Sequence, residues 1–233
     1  MISLSALSEI VFPSRCLGCK RLGIKICSQC RSSWHPHIYR TQITSEVNTF
    51  PVYSAVEYST VAQRVLLGSK ESGLRDADQL IGQALMHSLS YIQSELGIAD
   101  LVPVPSRKSA TRRRGRNFLL IHTVELSKNP RVLTRANLGH TRHVKDQSTL
   151  NAKERQVNVY GSLECIQIAE RTNIPVIIVD DVVTTGATLR EAGRALSEGG
   201  FTVLGAITAC VAKPLRYTPV SYTHLTLPTN REV

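Results

Sequence analysis

No run in the 233 residues approaches the roughly 20 consecutive apolar residues of a membrane-spanning helix. Residues 1–12 lack a basic start and a small-residue cleavage pattern, so they do not read as a secretory leader, and the cytoplasm is the expected location. Aromatic residues make up only 5% of the chain and do not interleave regularly with the basic ones, as a surface that stacks single-stranded bases requires. Two nucleotide signatures are missing as well: there is no G-x-G-x-x-G, and no Gly-Lys-Ser/Thr follows a glycine-rich turn. Internal repeats and low-complexity tracts are also absent from the sequence.

What is present is concentrated in residues 176–188. Val176, Ile177, Ile178 and Val179 follow Pro175 and are too few for a helix, but they suit a strand buried on both faces of a parallel sheet. Asp180 and Asp181 come next, then a turn in which Thr184, Thr185, Gly186 and Thr188 are small enough to let backbone N–H groups approach a ligand. Leu189, Ala192, Ala195 and Leu196 mark a helix after the turn. Unpaired amides and the helix dipole make such a helix start a seat for an anion. Two carboxylates beside a bound phosphate would repel it unless they face hydroxyl groups or a divalent cation that also binds the phosphate. The plainer alternative is a strand-to-helix turn with solvated acids.

Four of the six cysteines form the pattern Cys16-x2-Cys19 and Cys27-x2-Cys30, separated by seven residues. Paired knuckles of this spacing bring four thiolates to one tetrahedral Zn²⁺, a closed and therefore structural site. A disulfide framework is the competing reading, and a secretory leader would be needed to favour it. Redox dithiol chemistry needs only one pair. Cys165 and Cys210 are isolated and read as small buried hydrophobes. His35 and His37 follow the ribbon, but four cysteines already complete the shell, so both are expected at the surface.

At 233 residues the chain can hold one α/β domain plus a module too poor in apolar surface to fold without its metal. The expected division is a zinc-ribbon module over residues 1–40, the α/β domain over 41–213 and a tail over 214–233. Net charge is +10, and Arg107, Lys108, Arg112, Arg113, Arg114 and Arg116 form a basic block that suits a polyanion, small or nucleic. A solvated basic loop is the alternative. Residues 53–58 predict a half-exposed strand. Ala77, Leu80, Ile81, Ala84, Leu85, Leu89, Ile92 and Leu96 predict an amphipathic helix ended by Gly97. Residues 100–105 predict a short strand leaving into the basic loop, 118–128 a helix, 131–134 a strand and 202–211 a buried strand. Strands alternating with helices argue for a parallel sheet.

Residues 176–188 resemble the phosphoribosyl-pyrophosphate (PRPP) signature of type I phosphoribosyltransferases. That resemblance implies that Asp180 and Asp181 contact the ribose hydroxyls and, often through water, a metal. It implies that Thr184, Thr185, Gly186, Ala187 and Thr188 hold the 5′-phosphate. The order of parts is a four-cysteine ribbon, then Val102-Pro103-Val104-Pro105 with a basic loop ending Arg114-Gly115-Arg116-Asn117, then residues 147–158 with Leu150, Arg155 and Asn158, then the signature. Over residues 10–213 this order resembles the ComF family of competence-associated, phosphoribosyltransferase-like proteins. A type I phosphoribosyltransferase-like parallel sheet with flanking helices, behind a structural Zn²⁺ ribbon, is what the resemblance implies. It further implies PRPP bound with Mg²⁺, Arg107 and Lys108 as pyrophosphate contacts, Asp180 and Asp181 as catalytic carboxylates, and a mobile arginine loop. The implied reaction displaces pyrophosphate from ribose C1 through an oxocarbenium-like transition state, with no covalent enzyme intermediate. The alternatives are a non-enzymatic competence factor handling single-stranded DNA or partner proteins of the competence machinery, and a regulator that senses PRPP without turnover.

Two positions depart from the family pattern. Arg116 stands where an aromatic residue is usual, with Phe118 two positions later. Lys70 matches a family lysine, but Glu71 and Ser72 follow it in place of the usual aromatic. Both bear on loop closure and base stacking rather than on the phosphate cradle. Residues 220–233 resemble a tail that recurs in unrelated metagenomic translations when adapter bases are read as coding sequence. Residues 214–233 are therefore expected to be partly foreign to the natural protein.

Overall fold

In the computed structural model the elements are, in chain order, α1 (Ser28–Ser33), β1 (Tyr39–Thr44), β2 (Thr49–Glu57), α2 (Thr60–Lys70), α3 (Arg75–Leu96), β3 (Asp100–Pro103), α4 (Lys108–Arg114), α5 (Phe118–Leu126), β4 (Leu138–His140), β5 (Leu163–Cys165), β6 (Ile174–Val183), α6 (Ala187–Glu198), β7 (Phe201–Val211) and β8 (Thr218–Pro219). The structure describes residues 14–45, 47–128, 131–142, 158–167, 174–212 and 218–219. Residues 1–12, 147–157 and 220–233, discussed above, lie outside the described residues. The helices start and stop where local chemistry dictates. Ser59 caps α2 by accepting from the Ala62 amide, Asn117 caps α5 by accepting from that of Leu120, and α3 stops at Gly97 with φ +87°. No described helix is long and apolar enough to cross a membrane.

Six strands form one sheet in the order β3–β6–β7–β2–β1–β8. The first four are mutually parallel, while β1 and β8 extend the far side in antiparallel pairing. The chain is thus α/β, with a mainly parallel sheet, flanking helices and a four-cysteine module before it. β2 corrects one expectation: it lies between β7 and β1, and Val52, Tyr53, Ser54, Ala55 and Val56 are all buried. The polar residue in its alternation faces a partner, not solvent, since Ser54 Oγ lies 2.6 Å from Thr208 Oγ1. Residues 131–134 contribute one parallel bridge, Thr134 to Leu101, rather than a strand.

The faces of the sheet are assigned by close contacts. Pro51 and Gly205 are one step before the Val52–Ala206 pair, and the Ile92 side chain of α3 fills the space where a Gly205 Cβ would be. On the neighbouring residue of β2, Phe50 lies where a Gly193 Cβ of α6 would be. Successive residues of a strand point to opposite faces, so α3 covers one face and α6 the other. This sandwich buries Ile81, Leu85, Leu189 and Leu196 against Ile177, Ile178, Ala206 and Ile207.

β4 and β5 form a separate two-stranded antiparallel ribbon held to α6 by polar contacts. Buried Glu191 accepts from the Leu163 amide at 3.0 Å, and Arg194 donates to the Leu163 carbonyl at 2.8 Å while pairing with Glu191 at 2.7 Å. Glu191→Ala leaves the Leu163 amide without its acceptor and takes one of two carboxylate partners from the part-buried Arg194, which costs about 3 kcal/mol. Thermal unfolding should show a Tm lower by roughly 6–12 °C, with Glu191→Gln intermediate. An unchanged Tm in Glu191→Ala would mean that the ribbon is not anchored there.

Candidate functional site

Strand β6 runs farther than its apolar core predicts and carries the acid pair inside it. On one side Asp180 registers with Thr208 and Val183 with Val211 of β7. On the other, pairing with β3 ends at Val179, where the Val104 amide donates to the Val179 carbonyl at 2.9 Å. The acids therefore sit just past the end of β3, where the edge of β6 opens. Asp180 and Asp181 point to opposite faces by strand alternation, and both are buried while bordering one cavity of about 360 Å³. Ligands of open α/β sheets bind at such carboxyl ends.

After Val183 the chain turns through Thr184, Thr185 and Gly186 into α6. Gly186 adopts φ +73°, and Ile43 of β1 occupies the place of any Cβ, so both conformation and space demand glycine. Ala187 and Thr188, read from sequence as part of the turn, already belong to the first turn of the helix. Early helical amides lack intrahelical acceptors, and the Ala187 amide finds only the Thr185 hydroxyl at 3.4 Å. Thr188 borders the cavity with the acids, whereas Ala187 borders a neighbouring cavity beside Arg190. Thr184 and Thr185 are half-buried in the turn between them.

The two carboxylates differ in their partners. Asp181 forms an ion pair with Lys70, the last residue of α2. Asp180 accepts from the Asp181 amide at 2.8 Å. Burial first, and the adjacent Asp181 second, push the Asp180 carboxyl well above the usual carboxylate range, with Lys70 offsetting only part. Asp180 thus holds a proton more tightly than an ordinary carboxyl, and a cation or hydroxyl donor brought to it would favour the charged form.

The basic segment is a short helix, α4, rather than the loop expected from sequence. Thr111 donates to the Arg107 carbonyl at 3.0 Å, and Gly115 closes the helix in the left-handed region at φ +66°. Nor are its arginines all free to close over a ligand: Arg114 donates to Glu71 at 3.0 Å, Arg113 to Glu71 at 3.3 Å, and Arg116 grips Asp78 with two bonds of 2.8 Å. The physical reason is the acids on the α2–α3 side. Arg107, in the loop with Pro105 and Ser106, borders the acid-bearing cavity, while Lys108 points to an adjoining one. Phe118 is buried under Lys70 and Arg116, so it is a packing residue, not an exposed stacking ring.

In the N-terminal module the four cysteines converge. Their sulfurs all lie within 4.8 Å of one another, and Cys19 and Cys27 are 3.7 Å apart. A tetrahedral zinc thiolate centre, with Zn–S near 2.3 Å, separates its sulfurs by about 3.8 Å, so the residues present fit zinc. Gly18 is needed here, because a Cβ would strike the Cys30 sulfur. Burial and the neighbouring thiols push Cys30 up to about 12, whereas burial of Cys16 is outweighed by the amides of Cys19, Cys27 and Gly18, which lower it to about 6. The four sulfurs cannot all ionise without a cation among them. His35 is exposed and His37 packs edge-on to Tyr39, both outside the cluster. Cys210 is buried as expected, while Cys165 is only partly buried.

Residues 125–231, fewer than half of the chain, match the family model described as the phosphoribosyl transferase domain. No curated protein matches the chain. Among solved structures, an adenine phosphoribosyltransferase is 18% identical, over 80% of this chain and 91% of that one, with a TM-score of 0.42. The adenine phosphoribosyltransferase from Saccharomyces cerevisiae, complexed with an imino-altritol bisphosphate and adenine, is 16% identical over 80% and 89% at a TM-score of 0.39. A hypoxanthine phosphoribosyltransferase from Staphylococcus aureus is 13% identical over 61% and 70% at 0.34. Likenesses at this level carry no argument about substrate.

Sequence reasoning from the residues alone missed Glu71 and His140, which also border the acid-bearing cavity. Glu71 could be noticed only as a departure from the family pattern. His140 lies in a segment with no periodicity; only the fold brings its Nε2 within 3.0 Å of the Pro105 carbonyl.

One zinc per chain is expected in purified protein by metal analysis, with Cys16→Ser and Cys30→Ser reducing it to near zero and lowering Tm. Zinc absent from the unaltered protein would overturn the assignment. A second expectation follows from Asp180. Its pKa is raised in the folded state above an unfolded value near 3.9, so the folded chain binds the proton more tightly, and stability falls as pH rises from about 4 toward the raised value. Asp180→Asn should melt several degrees higher than the unaltered protein at pH 7.5 and within about a degree of it at pH 4. A gain of equal size at both values would show that the carboxyl is not titrating in the fold.

Proposed function

We propose that the chain binds PRPP, with Mg²⁺, in the cavity at the carboxyl end of β6 and transfers its phosphoribosyl group to an acceptor. The observation that carries this is the meeting at one cavity of the buried Asp180–Asp181 pair, the Pro105–Arg107 loop and the first turn of α6 at Thr188. The match of residues 125–231 to the phosphoribosyl transferase domain supports it. In this reading Asp180 and Asp181 face the ribose hydroxyls and the metal, the turn from Thr184 to Thr188 holds the 5′-phosphate, and Arg107 faces the pyrophosphate. Mg²⁺, when bound, would neutralise pyrophosphate charge. The bond from ribose C1 to pyrophosphate oxygen breaks with its electron pair leaving on pyrophosphate, while an acceptor lone pair forms the new bond to C1. The chain's own share is orientation and charge placement. Lys70 must exchange Asp181 for the incoming ligand or hold that carboxylate in place beside it.

Membership of the ComF family, a cytoplasmic location and an association with DNA uptake belong to the same reading, and the order of motifs along the chain is their support. A non-enzymatic factor that handles single-stranded DNA is the alternative. It draws on the basic segment, but three of those arginines already face carboxylates, which weakens it as a phosphate-tracking surface.

Isothermal titration with PRPP, with and without Mg²⁺, tests the proposal. Binding should depend on Mg²⁺ and weaken at least about tenfold, roughly 1.4 kcal/mol, in Asp180→Asn combined with Asp181→Asn. Thr185→Val should weaken it as well. Affinity unchanged in the acidic double variant would exclude this cavity as the PRPP site.

A further inference from the structure

A further cavity lies between α6 and the turn that joins β1 to β2. It encloses about 460 Å³, a volume in the range of small-molecule sites. Its walls include Val47 of the turn, Tyr160, and Arg190, Arg194 and Glu198 of α6. None of its described lining residues borders the acid-bearing cavity. The two part between chain neighbours: Val159 and Thr188 border the acids, whereas Tyr160 and Ala187 border this one.

Arg190, Arg194 and Glu198 recur at every fourth position and so share one face of the helix. Arg194 is fixed, because it pairs with Glu191 at 2.7 Å and with Glu198, and donates to the Leu163 carbonyl at 2.8 Å. Its guanidinium carbon lies 6.0 Å from the centre of the Tyr160 ring. The main chain of Tyr160 is held as well, since its carbonyl accepts from Arg142 at 2.9 Å. Yet Tyr160 is 68% exposed, so a ring backed by a fixed guanidinium stands largely uncovered at the cavity. Arg190 donates from Nε to the Thr44 carbonyl at 3.0 Å and has no acidic partner among the described residues. Glu198 pairs with Arg194 through Oε2, and its side chain stays 60% exposed, which leaves Oε1 to accept from a ligand. Two arginines face two glutamates, Glu191 being the second, so the described lining carries no net formal charge.

We propose that this cavity is a second ligand site, one that takes the base of a purine nucleoside. An exposed ring held from behind, in a lining of balanced charge, suits an uncharged planar ring that stacks on Tyr160. Glu198 accepts from N–H groups, and Arg190 donates to ring acceptors. That division matches guanine, whose edges set N–H donors beside the O6 and N7 acceptors that an arginine fork binds. The base is what is recognised, because a phosphate would meet no excess positive charge here. Tyr160 and Ala187 adjoin Val159 and Thr188 along the chain, so a purine held here bears on the turn that seats the 5′-phosphate and acts as an effector, not a reactant. That last step rests on the PRPP reading above; the purine site itself does not.

The probe is guanosine, titrated calorimetrically into the full-length zinc-loaded protein with and without saturating PRPP and Mg²⁺. It carries no phosphate, and its N9 already bears ribose, so it is not an acceptor at that nitrogen. One guanosine per chain should bind with a Kd below about 1 mM, both alone and beside PRPP. Inosine, which lacks the 2-amino donor, should bind severalfold more weakly. Tyr160→Leu, which keeps an apolar side chain but removes the stacking ring, should weaken guanosine at least about tenfold. Glu198→Gln should weaken it severalfold. Both side chains are exposed, so each variant should keep its Tm and, without guanosine, its PRPP affinity within about twofold. The site is overturned if guanosine does not bind, if PRPP displaces it, or if Tyr160→Leu binds it as the unaltered protein does. Tighter binding of phenyl phosphate than of guanosine, lost in Arg190→Ala, would overturn the purine form in favour of an aromatic anion. PRPP affinity unchanged by saturating guanosine would overturn the effector step. Were PRPP itself not to bind, the PRPP reading and the effector step would fail together, and Tyr160→Leu titrated with guanosine alone would still decide the site.

Discussion

Asp180 and Asp181 are buried side by side near the end of a central strand, with the Lys70 ammonium on Asp181 as the cation that compensates them. Burying two like charges is costly unless each is paired or neutralised by a proton. Asp181 takes the first route, and burial shifts Asp180 toward the second. Stability alone would select apolar residues at these positions, as at Val176 to Val179 just before them. A carboxyl held above its ordinary range at the open end of a sheet is the kind of poised group that functional sites retain at a cost to stability.

The same ion pair lies at the end of a helix that also touches the cysteine module. Helix α2, whose last residue is Lys70, is packed against α3 and against α1 of the cysteine module. The module is tied to that pair of helices by Arg64, which donates to the Gly18 carbonyl, and by Lys25 paired with Asp76 at 2.9 Å. Gly18 lies between two zinc-ligand candidates, and Lys70 lies six residues beyond Arg64. One helix therefore carries a contact with each site, which gives the ribbon a structural bearing on the cavity.

Glu71 and Arg116, the two positions where the sequence departs from the pattern it resembles, have partners in three dimensions. Glu71, in place of an aromatic, receives Arg113 and Arg114, and Arg116, in place of another, grips Asp78, which also accepts from Ser69. The result is a short helix fastened at the rim of the cavity, with Lys108 and Arg112 left facing outward.

The sequence by itself determined the apolar core of β6, the long helix from Ala77 to Leu96, the acid pair followed by a glycine turn, and the four-cysteine spacing. Each is local: a period of 3.6, a run of β-branched residues, or a fixed count between ligands. It misjudged β2, whose alternation looked solvent-facing because the partner of Ser54 is 154 residues away. It also read the basic segment as a mobile loop, because Glu71 and Asp78, which fasten it, are about 40 residues earlier. Tertiary structure alone decided that Lys70 meets Asp181, that Arg107 but not Lys108 borders the acid-bearing cavity, and that His140 reaches the Pro105 carbonyl. Those pairings depend on which strand ends lie side by side, and strand order is fixed by packing across the whole sheet rather than by any spacing along the chain.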